Sequence, residues 1–136
     1  MRPFSYQPGK KFGGGRALKT PPGAMNKTEA ERSRELESLK AAGEIIGWWF
    51  EPFRLRLAED NAFYTVDFMV VRPDGTIELE EVKGHWEEAA LVRIKVAASL
   101  YPFSFVALKK RTKKDGGGWE RREFKNLDDS VELGTR

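Results

Sequence analysis

Asp67-Phe68-Met69-Val70-Val71-Arg72-Pro73-Asp74-Gly75-Thr76-Ile77-Glu78-Leu79-Glu80-Glu81-Val82-Lys83 is the stretch from which the rest of the chain can be ordered. Its centre is a tight turn: proline presets the first turning residue, aspartate suits the second, and glycine takes a left-handed third. Two β-rich runs joined by such a three-residue loop form a hairpin with a defined register. Arg72 then faces Thr76, Val71 faces Ile77, Met69 faces Leu79 and Asp67 faces Glu81. Lys83 lies two residues beyond Glu81 and so on the same face of its strand.

Opposed strand residues have Cβ atoms about 4.5–5.5 Å apart, where like charges destabilise. Two carboxylates facing each other among Val, Met, Ile and Leu require a proton or a cation between them. A divalent ion is the simplest partner, because Mg2+ favours one or two carboxylates plus water and phosphate oxygens. Lys83 beside it can orient or deprotonate an attacking water, or neutralise charge at phosphorus. A plain salt bridge of Lys83 with Asp67 or Glu81 on a solvent-facing sheet reads the same pairing without chemistry.

Upstream, Thr28-Glu29-Ala30-Glu31 fits a capping box, so a helix is expected to start there. Ala30, Ser33, Leu36 and Leu39 follow at helical spacing, and Gly43 supplies a stop. Glu29 is the natural third acid of the site, although the helix dipole favours an acid there in any case. Glu31 and Glu35 compete with it. Strands are expected over Trp48–Leu57 and Ala62–Val71, and again over Thr76–Lys83. Downstream come a helix over Trp86–Tyr101, ended by Pro102, and a wholly apolar strand over Phe103–Leu108 of the buried parallel type. A basic, glycine-rich loop over Lys109–Gly118 and an edge strand over Trp119–Lys125 complete the order.

The net charge of +3 conceals segregation. Residues 1–28 carry +6 with no acid, residues 29–108 carry −6, residues 109–125 carry +5 and the last eleven carry −2. An acidic centre is thus bracketed by basic flanks suited to a phosphate backbone. Residues 1–25 are rich in glycine and proline and read as a mobile basic arm, 26–126 as one domain, and 127–136 as a tail. The absence of cysteine excludes disulfides, thiolate zinc sites and thiol catalysis, and the single histidine excludes a histidine-rich metal site. The longest apolar run, about six residues around Ile45–Phe50, is too short for a membrane span.

The order α-β-β-β-α-β, an acid in the first helix, an aspartate in the second strand and Glu81-Val82-Lys83 in the third resemble the PD-(D/E)XK nuclease superfamily. The phrases Asn26-Lys27-Thr28-Glu29-Ala30, Tyr64-Thr65-Val66-Asp67-Phe68 and Glu80-Glu81-Val82-Lys83-Gly84 are similar to a phage and prophage family of small nuclease-like proteins within it. The likeness spans about residues 26–108. It continues through Arg93-Ile94-Lys95 to Leu100-Tyr101-Pro102. Glu-x-Lys alone recurs at Glu123-Phe124-Lys125, so the weight rests on the combination.

The resemblance implies an α/β, restriction-endonuclease-like fold: an αβββαβ core whose mixed central sheet is flanked by helices. It implies metal ligation by Asp67 and Glu81, completed by the Val82 carbonyl and Glu29, with Lys83 as catalytic lysine. Val66 stands where the superfamily signature has proline. The expected activity is Mg2+- or Mn2+-dependent hydrolysis of DNA phosphodiesters, on a branched or nicked duplex, in phage replication, recombination or packaging. The alternative is a non-catalytic nucleic-acid-binding module on the same fold. A homodimer is compatible with that family, the expected location is the cytoplasm of a bacterial host, and neither a membrane nor an organic cofactor is expected.

Nucleic-acid contacts are expected from Lys10, Lys11, Arg16 and Lys19 in the arm and from Lys109, Lys110, Arg111, Lys113 and Lys114 in the loop. Arg93 and Lys95 lie on different faces of the second helix, and Lys95, nearer its inward stripe, is the better candidate. His85 reads as a loop or helix-start residue. One of Trp48 and Trp49 is expected to be exposed. Trp119 reads either as a base-stacking residue or as a packed edge aromatic.

Overall fold

The computed structural model describes residues 23–124. The arm lysines and arginine Lys10, Lys11, Arg16 and Lys19, and the expected tail at 127–136, lie outside the described residues.

Helix α1 spans Lys27–Ala41 and begins earlier than Thr28 would allow, because Asn26 is the N-cap. The Asn26 side chain accepts from the Glu29 N–H at 2.9 Å, and the Glu29 carboxylate accepts from the Asn26 N–H at 2.8 Å. Asparagine is at least as good a cap as threonine, and this choice places a glutamate at the third helical position. Gly43, at φ 76°, ends the helix as expected.

Each of the two long strands expected before the hairpin is broken in two. The first becomes β1, Gly47–Phe50, and β2, Arg54–Ala58; the second becomes β3, Ala62–Thr65, and β4, Phe68–Val71. The break in the first falls at Glu51, with φ 42°, followed by Pro52, which has no N–H to give a ladder. Both passes cross together: the Glu51 N–H donates to the Asp67 carbonyl at 2.8 Å and the Val66 N–H to that of Phe53 at 3.4 Å. The crossing moves the chain between layers. β1 pairs with β4 in the main sheet, whereas β2 pairs with β3 in a separate two-stranded sheet.

The 72–76 turn closes as expected, with the Gly75 N–H donating to the Arg72 carbonyl at 2.9 Å and Gly75 at φ 87°. Strand β5, Ile77–Lys83, pairs with β4 in the expected register: Val71 with Ile77, Met69 with Leu79, Phe68 with Glu80. Helix α2, Glu88–Leu100, then carries the chain across to β6, Ser104–Lys110, which runs parallel to β5. Strand β7, Trp119–Phe124, closes the edge antiparallel to β6. The central sheet is therefore mixed, in the order β1-β4-β5-β6-β7.

Two cores flank it. On the α1 side, Leu36 meets Phe50, Phe68, Val70, Val82, Val106 and Leu108. On the other, Leu79, Phe105 and Ala107 meet Ile94, Ala97 and Ala98 of α2 together with Leu55 and Tyr64 of the β2–β3 hairpin. Alternation along β5 sorts its acids accordingly: Glu78 and Glu80 face α1, while Glu81 and Lys83 face the α2 side. The α1-side acids are paired. Arg32 clasps Glu80 at 2.6 and 2.9 Å, and Arg72 and Arg121 both reach Glu78. Among the described residues no helix is long and apolar enough to cross a membrane.

Candidate active site

The hydrogen-bonded pairs of the β4–β5 ladder are the even-numbered ones, beginning with the Arg72 N–H to the Thr76 carbonyl at 3.0 Å. Continued in steps of two, the pattern asks Val66 to take the N–H of Val82. Val66 has left for the hairpin, and the Asp67 carboxylate replaces it, its Oδ2 accepting from the Val82 N–H at 2.8 Å. The paired register ends one residue short of Asp67, at Phe68–Glu80, and beyond it the Asp67 carboxyl lies within electrostatic reach of Glu81.

Glu81 is buried and held at both oxygens. The Tyr64 hydroxyl donates to Oε2 at 2.8 Å, and Lys83 Nζ lies 3.3 Å from Oε1. Burial, then the charges of Glu81 and Glu29, pushes the Asp67 carboxyl up to about 9, against the opposing pull of the Val82 N–H and Lys83. Without a cation, Asp67 therefore keeps its proton at neutral pH. Burial works against charge on Lys83, yet the Glu81 and Asp67 carboxylates prevail and hold it above the usual lysine range. The same burial, with Glu81 adjoining, lifts the Tyr64 hydroxyl far above the ordinary tyrosine range.

Glu29 is a capping residue with a second connection. Burial raises its carboxyl, Asn26 and Lys83 lower it, and Glu51 and Glu81 raise it further. Glu51 itself is raised by burial. It was not among the expected site residues. The Glu51 N–H donates to the Asp67 carbonyl just past the Phe50–Phe68 pair that ends the β1–β4 ladder, and the Glu51 charge reaches Glu29. That signal was hidden while β1 and β2 read as one strand. Tyr64, which the sequence showed only within the Tyr64-Thr65-Val66-Asp67-Phe68 phrase, was not among the expected site residues either.

The donor set consists of hard oxygen ligands, which fits Mg2+ or Mn2+ and not a thiophilic metal. Among the described residues no three such groups close into a preformed cage. What is assembled is the Asp67–Glu81 pair, with Glu29 in electrostatic reach of both and Glu51 in reach of Glu29. Val82 is buried in the α1-side core, and its N–H is already engaged by Asp67.

The basic residues divide. Lys109 belongs to β6 and pairs in register with Lys83, so the two share a face. Lys110 also belongs to β6, not to a loop, and it forms an ion pair with Glu31 on α1. Arg111, Lys113 and Lys114 are exposed in the connection, which starts where the Arg111 N–H meets the Gly118 carbonyl. Lys95 is exposed beside the buried Ile94 and does not join the inward stripe, which is Ala90, Ile94, Ala97 and Ala98. Arg93 is the α2 cation whose charge reaches Tyr64. Glu35 accepts from Trp119 Nε1 at 2.6 Å, which makes Trp119 a packed edge aromatic. His85 pairs with Glu87 at the surface, and Trp49 is the exposed tryptophan of the adjacent pair.

No family model, curated protein or solved structure matches this chain.

Proposed function

We propose that the protein is a metal-dependent endonuclease that hydrolyses DNA phosphodiester bonds. The observation that carries this reading is the pair formed by the half-buried Asp67 and the buried Glu81, with Lys83 on Glu81 Oε1. Asp67 and Glu81, with the Val82 carbonyl and Glu29, would hold Mg2+ or Mn2+. When bound, such an ion supplies an activated water and neutralises charge on the phosphoryl group. Asp67 would release its proton to become a ligand. Lys83, held as an ammonium by the two carboxylates, is suited to orienting the attacking water and stabilising the charged transition state.

The order of elements supports the superfamily reading. With the β2–β3 hairpin set aside, α1, β1, β4, β5, α2 and β6 follow the αβββαβ sequence of a restriction-endonuclease-like core. Lys109, on the same face as Lys83, and the exposed Arg111, Lys113 and Lys114 would meet the phosphate backbone. A dimer acting on a branched or nicked duplex belongs to the same proposal, by analogy with that superfamily.

One observation favours a second reading, a nucleic-acid-binding module without catalysis: Asp67 Oδ2 and Glu29 Oε2 both already serve main-chain N–H groups. Incubation of supercoiled, linear, single-stranded and four-way-junction DNA with Mg2+ or Mn2+ separates the two. The nuclease reading requires cleavage of at least one substrate that is lost in Lys83→Ala. Tight DNA binding with no cleavage would support the module.

A further inference from the structure

We infer that Tyr64 is the positioning residue of this site: its hydroxyl fixes the Glu81 carboxylate so that Oε1, and not Oε2, is presented to Lys83 and to a bound cation. The inference rests on the reading of Asp67 and Glu81 as cation ligands.

Tyr64 belongs to β3, in the two-stranded sheet that makes no ladder with the central one. It faces Leu55 across that hairpin and is buried with Leu79, Ile94 and Phe105. Apolar packing accounts for its ring, and phenylalanine would serve that purpose equally. The hydroxyl is different, because a buried O–H needs an acceptor. The acceptor is Glu81 Oε2 at 2.8 Å, seventeen residues further along the chain. Glu81 Oε1 lies toward Lys83 Nζ, 3.3 Å away.

A glutamate side chain has three rotatable bonds, and a lysine on one oxygen does not immobilise it. A tyrosine ring locked in a core removes that freedom from the second oxygen. Groups that orient a metal ligand from behind commonly contribute 10–100-fold to affinity. Tyr64 has the geometry of such a group, and it ties the shape of the β2–β3 hairpin to the state of the site.

The test is calorimetric titration of Mn2+ into wild type, Tyr64→Phe and Leu55→Val, all shown to be folded by circular dichroism at the same temperature. Leu55→Val loosens the same hairpin core without touching Glu81. The expected result is Mn2+ affinity about tenfold weaker in Tyr64→Phe and unchanged in Leu55→Val. Equal affinity in wild type and Tyr64→Phe would overturn the positioning role and leave the metal site standing. An equal loss in Leu55→Val would reduce Tyr64 to a packing residue. A wild type that takes up no Mn2+ would remove the metal site and this inference together.

Discussion

Asp67 accepts through its side chain the Val82 N–H that the ladder would otherwise assign to the main chain of Val66. One oxygen thus finishes a sheet at the point where the chain leaves it, while the carboxyl faces Glu81. Two substitutions separate these duties. Asp67→Ala leaves the Val82 N–H without its acceptor, at a cost of about 1–3 kcal/mol. Asp67→Asn keeps an acceptor and cannot ionise. Urea denaturation of the metal-free protein should find Asp67→Asn close to wild type near pH 4 and increasingly more stable than wild type toward pH 9, with Asp67→Ala the least stable near pH 4.

The pH dependence follows from the raised Asp67 carboxyl. Its pKa stands at about 9 in the fold, against an unfolded value of 3.8. A group raised on folding contributes stability that is complete below its unfolded pKa and lost as pH rises through the folded one. From this residue, the metal-free protein should lose stability progressively between about pH 4 and 9. A cation that takes the place of the proton should release about one proton at pH 7, so its affinity rises with pH over the same window. Titration in two buffers of different ionisation enthalpy counts the proton directly, and a count of zero would contradict the protonated Asp67.

Lys83 should separate binding from turnover. Lys83→Met removes the ammonium from Glu81 Oε1. Divalent-ion affinity should hold or rise, because a competitor for the carboxylate is gone, while cleavage should fall by about two to three orders of magnitude. Loss of ion binding in step with cleavage would mean that Lys83 assembles the site and does not act in it.

The α1 side of β5 carries stability and no chemistry. Glu80 is fully buried and clasped by Arg32, so Arg32→Met strands a buried acid and should cost about 3–5 kcal/mol in chemical denaturation. The surface pair Arg56–Glu59, at 56% and 88% side-chain exposure, should contribute less than about 1 kcal/mol when Arg56 is replaced by alanine.

Much of this was legible in the sequence because the decisive contacts are local. The loop Pro73-Asp74-Gly75 determines the hairpin register, which runs as far as Phe68–Glu80 and leaves Asp67 within electrostatic reach of Glu81. Helix limits were less legible: Thr28 read as the cap, whereas Asn26, two residues earlier, closes the capping box with Glu29. The break after Glu51 had a local sign in Pro52, which cannot donate to a ladder. The break at Val66 had none, because Ala62–Val71 has strand composition throughout and what divides it is a passage between layers. Glu51 and Tyr64 stayed hidden for the same reason, as each acquires its partner only after that passage. Lys110 looked like a loop cation until α1 brought Glu31 to it.

The central claim is that the carboxylate pair and Lys83 cut DNA with a divalent ion. It is tested most directly by following a supercoiled plasmid with wild type and Glu81→Ala purified in parallel, with Mg2+ and with a chelator. The expected result is nicked or linear product from wild type with Mg2+ alone, and none from Glu81→Ala. Cleavage by both proteins at equal rates, or cleavage that survives the chelator, would contradict it.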